Sequence, residues 1–76
     1  MEQKKVEVFK TNLREAAEAE KVLTLLHQRF PHYQANVDLS DCDKILRIEC
    51  CSGEVEGNLI KELIGHAGYI SEILPD

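Results

Sequence analysis

An α+β domain, with two helices on one face of a four-stranded antiparallel sheet, is the architecture this sequence predicts. Three observations predict it. Four short segments read as strands, two longer ones space their apolar residues three and four apart, and the order is βαββαβ. The ferredoxin-like split βαβ arrangement houses that order.

Residues 4–10, KKVEVFK, place Val6 and Val8 on one face of a half-buried strand. Residues 12–29 follow a helical period, with Leu13, Ala16, Ala19, Val22, Leu23 and Leu26 on one side. Glu15, Glu18, Lys21 and Gln28 face away, and Phe30-Pro31 closes the helix because the residue before proline avoids the α region. Residues 33–39 alternate again, with Tyr33, Ala35, Val37 and Leu39 on one side. The SDCD stretch, 40–43, is a turn, and residues 44–50 alternate with Leu46, Ile48 and Cys50 inward, giving an antiparallel hairpin. Ser52-Gly53 breaks that strand. A second helix is expected over 54–66, with Val55, Leu59, Leu63 and Ala67 spaced by four and Ile60 and Ile64 beside them. Glu54 and Glu56 would lie in its first turn, where carboxylates favour the positive end of the helix dipole. Gly68 supplies a stop, and residues 69–74 read as the last strand.

The 76 residues make one domain, 1–76, with a thin core and no room for a deep enclosed pocket. A net charge of −5 with no Lys/Arg cluster argues against nucleic acid and anionic membranes as partners. The third strand carries no aromatic residue and the first only Phe9, so the stacking platforms of an RNA-binding sheet are missing. No apolar run approaches the roughly 20 residues that span a bilayer, and the N-terminus shows no secretory signal. Cys42, Cys50 and Cys51 are odd in number and show no disulfide spacing, which fits reduced thiols in the cytoplasm.

Three stretches carry a family resemblance: Asn36-Val37-Asp38-Leu39 in the second strand, Leu59-Ile60-Lys61 in the second helix, and Ala67-Gly68-Tyr69 after it. With them the chain resembles the heavy-metal-associated domain of copper chaperones and metal-pumping ATPases over nearly its whole length. In that family the active part is a G-M-T-C-x-x-C loop after the first strand, whose two thiolates hold soft ions. Alignment of the first strands puts Lys10 at the methionine, Thr11 at the threonine, Asn12 at the first cysteine and Glu15 at the second. Only the threonine is kept. The resemblance further implies that this region meets a partner domain and that Tyr69 lies close to it.

Read from its own residues, Asn12-Leu13-Arg14-Glu15 forms a capping box, with Asn12 as N-cap and Glu15 reaching back to the N–H of Asn12. An amide and a carboxylate offer neither sulfur nor imidazole to a soft metal. Lys10, Arg14 and the helix dipole leave a partner or anion contact open at the same place. Cys50 and Cys51 are adjacent, so in a strand they point to opposite faces. Cys42 sits between two carboxylates, the reverse of the positive setting a reactive thiol needs. His27, His32 and His66 are scattered, without the further ligands a zinc site requires. No nucleophile–base pairing and no phosphate-cradling glycine loop is present in the sequence.

The expectation is a non-enzymatic binding or accessory domain with no cofactor and no soft metal in the usual loop. Its contact surface would be the open sheet face or the loop formed by Lys10, Thr11, Asn12, Arg14, Glu15 and Tyr69. Two alternatives stand beside it. One is metallochaperone-like metal binding through Cys50 and Cys51. The other is a small-molecule regulatory domain that acts as an oligomer.

Overall fold

The structure, a computed structural model, describes residues 5–50 and 53–74. Six elements follow in the expected order: β1 (Lys5–Thr11), α1 (Ala16–Arg29), β2 (Gln34–Asp38), β3 (Ile45–Cys50), α2 (Gly57–His66) and β4 (Ser71–Leu74). The strands form one antiparallel sheet in the order β2-β3-β1-β4. This is the ferredoxin-like α+β fold. Lys4, Cys51 and Ser52, which the sequence assigns to a strand end and a break, lie outside the described residues.

The helices and the inner sheet face bury one cluster built on Phe9, Leu13, Val22, Leu26, Leu46, Ile48, Cys50, Ile60 and Ile64. Period-2 patterning sets which strand residues enter it. Leu46, Ile48 and Cys50 point inward from β3 as expected, and Tyr33, Ala35, Val37 and Leu39 line the same side of the β2 segment. Val6 and Val8 do share a face of β1, but it is the open one. Phe9 and Thr11 are the buried residues of that strand.

Both helices start later than the apolar period suggests. The first begins at Ala16 rather than residue 12, because Glu15 is still extended at φ −118° and ψ 154°. Leu13 fits the helical period and is fully buried, yet it enters the core from the loop before the helix. Ala16 is exposed. The second begins at Gly57 rather than residue 54. Tyr33 is the reason: its hydroxyl donates to Glu54 O at 3.0 Å and accepts from the Glu56 N–H at 2.9 Å. That bridge holds residues 54–56 out of the helix, so Glu56 is the N-cap and the first turn contains no acidic residue. Ile60 and Ile64 carry the packing of α2, while Leu59 is 40% exposed.

Gly68 stops α2 as expected. Its φ of +95° lets its N–H reach Gly65 O at 3.0 Å, while the Tyr69 N–H reaches Ile64 O at 3.1 Å. Those two bonds make a Schellman ending, which needs a left-handed residue at that point. Chain direction is thereby reset toward β4, two residues later than residue 69.

Candidate functional site

The end of β1, the start of α1, the entry to β4 and the β2–β3 hairpin converge at one end of the sheet. Thr11 holds them together. Its N–H donates to Asp43 O at 3.1 Å and its hydroxyl to Lys44 O at 2.6 Å, while the same Oγ1 accepts from the Leu13 N–H at 3.3 Å. With 8% of its surface exposed, Thr11 is therefore a buried tie and no part of a contact surface.

Asn12 follows it and is exposed. Its side chain does not cap α1. The Asn12 Oδ1 accepts from the Ile70 N–H at 2.9 Å, and the Asn12 N–H donates to Ile70 O at 3.3 Å. This residue thus extends the β1–β4 pairing by one step, which pulls it away from the helix axis. The capping box shifts three residues along, to Glu15 and Glu18. Glu18 Oε1 accepts from the N–H of Arg14 at 3.0 Å and of Glu15 at 3.1 Å. These two bonds, Arg14 first, hold the Glu18 carboxyl below its usual 4.5.

Tyr69 lies against this cap. Its phenol and the Glu18 carboxylate shift each other's titration, and Lys21 Nζ stands 5.9 Å from its ring centre. Partial burial, followed by the negative charge of Glu18, pushes the phenol above its usual 10.0. Arg14 and Glu15 are exposed at the same cap, while Lys10 is exposed on the open-face side of β1 with its Nζ 3.7 Å from Asp43 Oδ1. The loop residues named from the sequence are therefore neighbours, Thr11 excepted as a surface residue.

Sequence reasoning missed the hairpin as the other wall of this site. Asp41 Oδ1 accepts from the Asp43 N–H at 2.9 Å, and Lys44 Nζ donates to Leu39 O at 2.9 Å. Lys44 adopts φ +50°, a left-handed turn that the SDCD composition signalled only as a turn of some type. The ligand atoms of Asp41, Cys42 and Asp43 lie within 4.8 Å of one another on the exposed side of this turn. Of these atoms, Asp41 Oδ1 serves the turn and Asp43 Oδ1 faces Lys10 Nζ.

Cys50 is remote from the loop. It is 1% exposed in the core and pairs with Lys5, at the opposite end of β1 from Thr11. Cys51 lies outside the described residues. His32 packs edge-on against Tyr33 at 4.5 Å, beyond the C-terminus of α1, while His27 and His66 occupy the last turns of the two helices. No described helix is long and apolar enough to cross a membrane. Set against protein-family models, curated proteins and solved structures, the chain gives no match.

Proposed function

We propose that this chain is a small non-enzymatic binding or accessory domain, cytoplasmic, in which the frame of a heavy-metal-associated domain carries a protein-contact loop in place of a soft-metal loop. The single observation that supports the reading is the use made of the two positions aligned with the family's cysteines. The Asn12 amide oxygen is engaged with the Ile70 N–H at 2.9 Å, and Glu15 forms the start of α1. Neither side chain provides a sulfur, and the two serve different elements. What remains exposed at this end is a mixed rim of Lys10, Asn12, Arg14 and Glu15, with half-buried Tyr69 beside it. Such a surface suits a protein partner: an aromatic body flanked by charges of both signs.

Titration of Cu(I) or Zn(II) into the reduced, purified chain, against a chelator of moderate affinity, tests the reading. No stoichiometric ion is expected to survive that competition. A bound ion that is lost in a Cys50→Ser/Cys51→Ser double variant overturns the proposal in favour of metal handling by those thiols. A bound ion lost on Asn12→Ala overturns it in favour of the loop itself.

A further inference from the structure

We draw no further inference here: the strongest candidate, the outer rim of strand β4, where the apolar row Val37–Leu46–Phe9–Ile73 ends in a side chain 39% exposed beside the still more exposed Ile70, carries nothing because no feature of the structure shows what covers it.

Discussion

Glu18 carries more of the α1 terminus than its place on a polar helix face suggests. One carboxylate oxygen takes the N–H groups of Arg14 and Glu15. Both favour the charged form, so the folded-state carboxyl ionises at lower pH than the unfolded one. The sign follows from proton binding. Above the ordinary value of 4.5 the full stabilisation is present, and it is lost as pH falls through the lower folded value. A Glu18→Gln variant, followed by circular dichroism during thermal unfolding, should melt below the unaltered chain at pH 7. That difference should shrink as the pH is taken below 4.5, because the reference protein then loses the same charge. A difference that is constant down to pH 3 would mean that the carboxylate acts by packing alone. Asp38 adds to the acid sensitivity, since the Ser40 hydroxyl and N–H hold its carboxyl low as well.

Among the elements, boundaries were the part least legible in the sequence, and their physical cause is specific. Asn12-x-x-Glu15 and Glu15-x-x-Glu18 both satisfy the spacing of a capping box. A bond from Asn12 to Ile70, 58 residues along the chain, decides between them, and no local pattern contains it. The start of α2 has the same character. Glu54 and Glu56 look like first-turn carboxylates until Tyr33, more than 20 residues upstream, bonds both of their backbones. By contrast the Gly68 ending was legible, since a Schellman turn depends only on neighbours and a residue tolerant of positive φ. Tyr33→Phe isolates the tyrosine's role. The ring keeps its place, stacked 4.9 Å from Phe30, while the Glu54 carbonyl and the Glu56 N–H lose their partner. Both flank an exposed loop and can recover water, so a loss of about 1–2 kcal/mol is expected in urea unfolding. Fraying confined to the first turn of α2, seen as faster amide exchange there, should accompany it. An unchanged midpoint would show that α2 starts at Gly57 for some other reason.

On the scale of the whole molecule, strand and helix order was legible because periods of 2 and 3.6 survive any change of partner. Strand β1 shows the limit of that signal. Val6 and Val8 alternate as well as Phe9 and Thr11 do, and only the pairing with β3 and β4 shows which set is covered. Phe9 is covered because β1 is a central strand and the Phe9 ring end lies about 4.0 Å from where a Cβ on Gly57 would stand, beneath the start of α2. One side chain therefore joins the middle of the sheet to a helix. A chain of 76 residues has a total stability of roughly 4–11 kcal/mol, at about 0.05–0.15 kcal/mol per residue. Removing a buried phenylalanine ring costs about 3–5 kcal/mol. Phe9→Ala should then leave little or no folded protein at 25 °C, whereas Ile48→Val, about 0.5–1.5 kcal/mol in the same core, should keep the fold with an unchanged denaturant slope. A Phe9→Ala protein that unfolds within about 1 kcal/mol of its parent would show that the Val37–Leu46–Phe9–Ile73 row is no support for the sheet.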